Sequence, residues 1–216
     1  MKKILLILMI GSTFLTSCKK DPEAVSSVVT VSYPTIQLSG DQIISTVVGT
    51  GAYTDPGAIG TDDVTGASGA LSPVSNNVDL TTPGFYSVKY SMKNSNGYIT
   101  ESTRLVLVTS VDAAVDLSGT YFRVSNNQTV TVTKRGPGLY TTSNVGGVAG
   151  NPAFIFDVYM GQINDSELVV PSQPSALGGD IYCDNTTLNI SASDTSYSYI
   201  VRGAGFGTAV RVFSHQ

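Results

Sequence analysis

Chemistry in this chain would have to be assembled from few residue types. Its second half carries Asp157, Asp165, Glu167, Asp180, Asp184 and Asp194. Glycoside hydrolysis needs two such carboxylates at a fixed separation, one of them with a raised pKa. Nothing in their spacing pairs any two, so they read as scattered surface acids. After Cys18 the only thiol is Cys183, and the only histidine, His215, lies one residue from the C-terminus. A nucleophilic cysteine needs a base beside it, so Cys183, preceded by Ile181 and Tyr182, reads as a small strand residue. The same scarcity of His and Cys argues against a zinc or iron site. Asp55, Asp62 and Asp63 could offer oxygens to Ca²⁺, but their spacing is not that of an EF-hand and they read as turn-capping residues. Gly203-Ala204-Gly205-Phe206-Gly207 is glycine-rich, yet strand-like residues follow it where a dinucleotide loop needs a helix N-terminus. It reads as a hairpin turn. The expectation is a protein that is not an enzyme, with no catalytic residue, no metal site and no cofactor.

Binding chemistry is better represented. Sugar rings stack on exposed aromatic faces while short polar side chains hydrogen-bond their hydroxyls. The second half supplies Tyr140, Tyr159, Tyr182, Tyr197, Tyr199 and Phe206 among many Asn and Asp, although the chain has no tryptophan. Tyr140, Tyr159, Tyr197 and Tyr199 are the candidates for a glycan site, lined by the loops Asn144 to Pro152 and Pro171 to Asp180. Neutral sugars carry no charge, so such binding is expected to be insensitive to salt.

The elements that must position these residues read as strands throughout. Only 13% of residues are charged, Gly, Ser, Thr, Val and Asn abound, and long stretches of helical periodicity are missing. The chain is therefore expected to be all-β, with a hydrophobic fraction of 41% sufficient for one large core or two small ones. Strands are expected at Ile36 to Leu38, Ile43 to Val48 and Val78 to Leu80, with a turn at Tyr53 to Ala58 and then a long loop with short strand pieces as far as Ser72. The clearest hairpin follows. Tyr86, Val88, Tyr90 and Met92 share one face of an extended segment; Lys93-Asn94-Ser95-Asn96-Gly97 turns the chain, and Tyr98 to Val108 return, ending in Leu105-Val106-Leu107-Val108. Beyond a boundary at Val111 to Asp116, strands are expected at Gly119 to Val124, Thr129 to Lys134, Leu139 to Thr142, Phe154 to Met160, Glu167 to Val170, Ile181 to Cys183, Thr187 to Ser191, Tyr197 to Arg202 and Thr208 to Phe213. Short antiparallel strands at this spacing suggest a small barrel or sandwich, with a flexible loop at Asn144 to Pro152.

Gly84-Phe85-Tyr86-Ser87-Val88 has the Gly-x-Tyr pattern of the tyrosine corner in immunoglobulin-like sandwiches. The stretch from Tyr33 to Val108 resembles the bacterial immunoglobulin-like domain of surface lipoproteins and crystal toxins. The likeness rests on Pro34-x-Ile36-x-Leu38, Tyr53-Thr54-Asp55-Pro56-Gly57-Ala58, Asp62-Asp63, Pro83-Gly84-x-Tyr86 and Asn96-Gly97. It implies a sandwich at residues 33–110 serving as a spacer or presentation module, followed at 117–216 by a second antiparallel β-barrel or β-sandwich domain.

The N-terminus supplies an address. Lys2 and Lys3 precede the apolar Ile4 to Ile10, too short to span a hydrocarbon core of ~30 Å, and Leu15-Thr16-Ser17-Cys18 follows. This resembles a bacterial lipoprotein signal, which implies a signal peptide at 1–17, a diacylglycerol on Cys18 and a tether at 18–32. Two or three acyl chains hold a protein on a membrane where one does not. Lys19-Lys20-Asp21-Pro22-Glu23 is similar to the charged tethers of Bacteroidetes lipoproteins, which implies the outer membrane and display on the cell surface, with a periplasm-facing position as the alternative. Removal of Lys2 and Lys3 with the signal takes the formal charge from −4 to −6, and such a chain has no electrostatic footprint for nucleic acid. The order of units resembles two-domain lipoproteins of gut-type Bacteroidetes, which implies an accessory glycan-binding role in polysaccharide utilisation. The alternative is a structural or adhesin-like protein that binds another protein.

Overall fold

The computed structural model describes residues 31–191, 194–203 and 205–216; the expected signal peptide, Cys18 and most of the tether lie outside them. Among the described residues sixteen strands run in order: β1 Thr35–Leu38, β2 Ile43–Val47, β3 Ala58–Thr61, β4 Ser68–Leu71, β5 Ser75–Asn76, β6 Gly84–Lys93, β7 Ile99–Thr109, β8 Gly119–Arg123, β9 Thr129–Gly136, β10 Leu139–Thr142, β11 Val158–Asn164, β12 Glu167–Val169, β13 Gln173–Pro174, β14 Asp180–Ile190, β15 Thr195–Arg202 and β16 Val210–His215. The helical piece among the described residues is a single 3₁₀ turn, Pro152–Phe154. The protein is all-β. Residues 33–216 form one compact unit.

The N-terminal part is an immunoglobulin-like sandwich of two sheets, β1-β3-β4 and β2-β7-β6-β5, with β2 parallel to β7. Val88 and Tyr90 on β6, Val106 on β7 and Ala58 on β3 are buried between them, with Ile36, Leu38, Tyr53 and Tyr86 packed around. The alternation of β6 thus faces the sandwich core as its sequence requires. Val78 to Leu80 is not a strand; the pairing strand is β5, where Ser75 faces Lys89, and Asn76 and Asp79 cap the turns that follow through Val78 N (3.0 Å) and Thr81 N (2.8 Å).

The C-terminal part is a nine-stranded sheet in the order β12-β11-β10-β9-β8-β16-β15-β14-β13. It curls until β12 lies against β14, where Cys183 N donates to Val170 O at 3.3 Å. The curled sheet is a barrel-like meander. Tyr121, Tyr140, Tyr197, Tyr199, Phe213, Val130, Met160 and Leu168 fill its interior, as side chains must in a barrel of about eight strands.

Several boundaries differ from the periodicity. Phe154 to Phe156 are not strand, because Pro152 opens the 3₁₀ turn and Asn151 Oδ1 caps it through Ala153 N (3.2 Å). The two expected strands at 181–183 and 187–191 are one, β14, whose register shifts between Asp184 and Thr187. Asn185, at φ 52°, supplies the left-handed residue that such a bulge tolerates. The loop at Asn144 to Pro152 is packed: Val145 is fully buried, and Asn144 clasps Val148 through both its main-chain N and O.

The boundary at 111–116 joins two parts that share a core. Ile43, Leu107, Leu139 and Ile163 are buried together, with Phe85, Leu105, Tyr159 and Val169 around them. β7 therefore buries both faces, Val106 toward the sandwich core and Leu105 and Leu107 toward β10 and β11. Thr109 Oγ1 donates to Gln162 O at 2.7 Å across the junction. A Cβ on Gly161 would sit 2.6 Å from Phe85 Cζ and 3.0 Å from Leu107 Cδ2, so only glycine permits this approach of the two halves.

Candidate functional site

Three of the four tyrosines expected to touch sugar are core residues. Tyr140 and Tyr199 are fully buried and Tyr197 is 2% exposed. Tyr197 stacks on Phe213 at 5.0 Å and on Tyr199 at 5.6 Å, while Tyr140 OH accepts from Leu117 N and Tyr199 OH donates to Val145 O. Burial pushes the hydroxyl pKa of both Tyr197 and Tyr199 well up. Rings that fill the barrel have no free face for a sugar, so the reading of these three as stacking platforms is corrected. Tyr159 is half-buried against the sandwich and clamped by Gln173, which accepts from its main-chain N (2.8 Å) and donates to its O (2.9 Å). Tyr182 is exposed on the outer face of β14.

The acids of the second half are dispersed. Asp184 pairs with Arg202 at 2.6 Å, Asp180 accepts from Ser172, Glu167 from Asn164 and Asp194 from Ser214. Cys183 lies in the barrel core, and burial pushes its thiol up to about 12. At neutral pH it is protonated and a poor nucleophile.

In the sandwich, Asp55 accepts from Tyr53 OH (2.6 Å), Tyr90 OH and Gly57 N (2.7 Å). Its other neighbour is the guanidinium of fully buried Arg104, with Nε 3.3 Å from Oδ2. Arg104 Nη2 also donates to Ser39 O and Gly57 O. Burial disfavours the Asp55 carboxylate, but those hydrogen bonds and the arginine charge outweigh it and hold its pKa below the usual range. Asp62 accepts from Ser95 Oγ and from the main-chain N of Val64, Thr65 and Ser95, which hold its carboxyl down at about 2, burial opposing. These aspartates cap turns and hold an arginine. Among the described residues, no three His, Cys, Asp or Glu converge as a metal site would require.

Two concavities are lined by described residues. One, of about 210 Å³, lies between the halves and is lined by Gln42, Ile43, Thr103 and Leu105 of the sandwich and by Ser172, Gln173, Pro174 and Asp180. The other, of about 230 Å³, opens at an end of the barrel among Val148, Asn151, Phe154, Gly205, Phe206 and Arg211. Phe206 meets Phe154 edge-on at 5.2 Å, and the Arg211 guanidinium lies over the Phe206 ring at 5.6 Å. Aromatic walls with a few convergent polar groups at a barrel mouth are what a small-molecule site requires. Each concavity draws on one of the two long loops anticipated from composition. Phe206 belonged to the anticipated aromatic set; Phe154 did not, because it sat in an apolar run that reads as a strand.

Comparison with known proteins finds a likeness in the N-terminal part. Residues 36–108 match the family described as bacterial surface protein, Ig-like domain. No curated protein matches the chain. Among solved structures, the crystal structure of a lipoprotein from Bacteroides thetaiotaomicron is similar at 19% identity, covering 85% of this chain and 100% of that one with a TM-score of 0.39, an overlap too loose to transfer anything.

Proposed function

We propose that this is a lipid-anchored, non-enzymatic surface protein whose barrel captures glycan for a polysaccharide-utilisation system, held on the outer membrane through Cys18. The placement is supported by Leu15-Thr16-Ser17-Cys18 after a short apolar segment and by the surface-protein family matched at residues 36–108. The binding role is supported by one observation above all, the cavity at the barrel mouth walled by Phe154 and Phe206 beside Asn151. The sandwich then acts as the spacer that carries the barrel.

Both parts are testable. Cells fed a fatty-acid analogue should label the wild type and not Cys18→Ala; equal labelling refutes the anchor. A soluble form lacking residues 1–18 should bind defined polysaccharides on a glycan array, and Phe154→Ala should weaken that binding by roughly tenfold, as loss of a stacking face worth ~1 kcal/mol or more would. Unchanged binding by the folded variant removes the barrel mouth from the reading.

A second reading, protein binding, is favoured by the outer face of the barrel. Val124, Val210 and Val212 are exposed, and Val124 N donates to Val212 O, so the valines neighbour one another across β8 and β16. Capture of a surface protein lost in Val212→Asp, with no glycan bound, would establish it.

A further inference from the structure

Two arginines lie side by side at this end of the barrel. Arg123 on β8 and Arg211 on β16 both point inward, sharing faces with Tyr121 and Phe213 respectively. Arg123 Nη1 (3.2 Å) and Arg211 Nε (3.1 Å) donate to the same oxygen, Gly146 O. The two guanidinium groups therefore flank one carbonyl. Arg211 spends its other bonds on Ala209 O and Phe206 O, and Arg123 on Gly147 O. Every acceptor is main chain. Among the described residues neither arginine has a carboxylate within 4.0 Å.

Carbonyl dipoles satisfy guanidinium donors but leave the charge in place, and burying one charge beside a half-buried like charge is costly unless something neutralises it. The Arg123 Nε is buried without an acceptor. Arg211 is 4% exposed, and of its five N–H donors three are committed to the carbonyls above. Burial, and then the Arg123 charge, lower the Arg211 pKa, the direction expected where a counter-charge is missing. Arg211 nevertheless lines the cavity together with Phe154 and Phe206. Its two remaining N–H donors, one on each Nη, are a planar pair of the kind that receives a carboxylate.

We propose that the barrel mouth takes a single anionic sugar residue, a uronic acid, with its carboxylate on Arg211, in the field of the neighbouring Arg123, and its ring against Phe154. This rests on the glycan-binding reading and narrows it to acidic polysaccharides. The cavity, at about 230 Å³, falls below the ~300–1,000 Å³ of drug-sized sites, which suits one ring at a chain end or on a side branch. The salt insensitivity expected of a neutral sugar is replaced by a measurable salt dependence.

The soluble chain lacking residues 1–18 is titrated calorimetrically with methyl glucuronide, with its methyl ester and with methyl glucoside. The uronide should bind at least tenfold more tightly than either neutral analogue, and its binding should weaken between 20 and 200 mM salt. Arg211→Gln and Arg123→Gln should each abolish this preference. Because Arg211→Gln also frees loop carbonyls, Arg211→Lys serves as the second variant: it keeps the charge, loses the fork, and should lower uronide affinity by about tenfold while the fold, followed by circular dichroism, is unchanged. Equal binding of uronide and glucoside would overturn the anionic assignment and leave the glycan reading standing. No binding of any of the three sugars would overturn both.

Discussion

Each half of this molecule buries an arginine, and the two are treated in opposite ways. Arg104, in the sandwich, is fully buried beside an aspartate that two tyrosine hydroxyls and a main-chain N–H also hold. Arg211, in the barrel, is buried almost as deeply but bonds only to main-chain carbonyls beside a second arginine. In the first the arginine charge is met by a carboxylate, although its Nε and Nη1 have no hydrogen-bond acceptor, and the pairing explains why Tyr53, Asp55 and Gly57 occur together in the sequence. The second leaves a charge uncompensated where a cavity opens. A buried ion pair adds little when intact but costs much when broken, so the sandwich arginine is a structural lock, and the barrel arginine is placed to meet something from outside.

The sharpest way to break that contrast is to open the lock. Asp55→Asn keeps the shape but strands the Arg104 charge, and should cost about 3 to 5 kcal/mol of stability, read as a shift of the denaturant midpoint. The same pair gives the acid limb its sign. Asp55 has its folded pKa depressed, so its contribution is present above the unfolded value near 3.9 and is lost as pH falls through the folded value. The wild type should therefore lose stability as pH drops below about 4, with hydrogen exchange accelerating in β6 and β7 before the barrel strands, and Asp55→Asn should flatten this limb. A variant as acid-sensitive as the wild type would show that Asp55 is not the group responsible.

A smaller effect is expected where the halves meet. Gly161→Val would push a side chain into Phe85 and Leu107, and overpacking of this kind costs roughly 1 to 3 kcal/mol. If the halves were merely tethered, the midpoint would move by less than ~0.3 kcal/mol and each would unfold as before.

The junction was hinted at in the sequence by Leu105-Val106-Leu107-Val108, since an unbroken apolar run marks a strand covered on both faces. The all-β class and the β6–β7 hairpin were legible for the same local reason, the period-two pattern, and the immunoglobulin-like half was legible in its motif. The tyrosines were not. Alternation along β15 places Tyr197 and Tyr199 on one face but does not say whether that face is the inside or the outside of a closed sheet, and only closure by β12 against β14 decides it. The Arg123–Arg211 pair was hidden for a related reason: its members are 88 positions apart and are brought together by the antiparallel pairing of the first and last strands of the second half, with Arg123 opposite Phe213. Gly203 to Gly207, by contrast, falls in the connection between β15 and β16, and Phe206 in it lines the cavity.

The smallest predicted difference concerns a motif the halves share. Gly84-Phe85-Tyr86 and Gly119-Thr120-Tyr121 each open a strand, and each tyrosine hydroxyl reaches back four residues, Tyr86 OH to Thr82 O at 2.7 Å and Tyr121 OH to Leu117 O at 2.9 Å. The barrel thus has its own tyrosine corner. The two differ in water: Thr82 and the bond to it are exposed, whereas Tyr121 is 1% exposed and Leu117 is buried. Removing a hydroxyl costs the full desolvation of its partner only where water cannot take its place. Tyr121→Phe should therefore cost about 1 to 3 kcal/mol and Tyr86→Phe about 0.5 to 1 kcal/mol, measured as denaturant midpoints of the two single variants. Equal losses would mean that the corner's value lies in fixing the chain's entry into the strand, and that burial of its hydrogen bond contributes nothing.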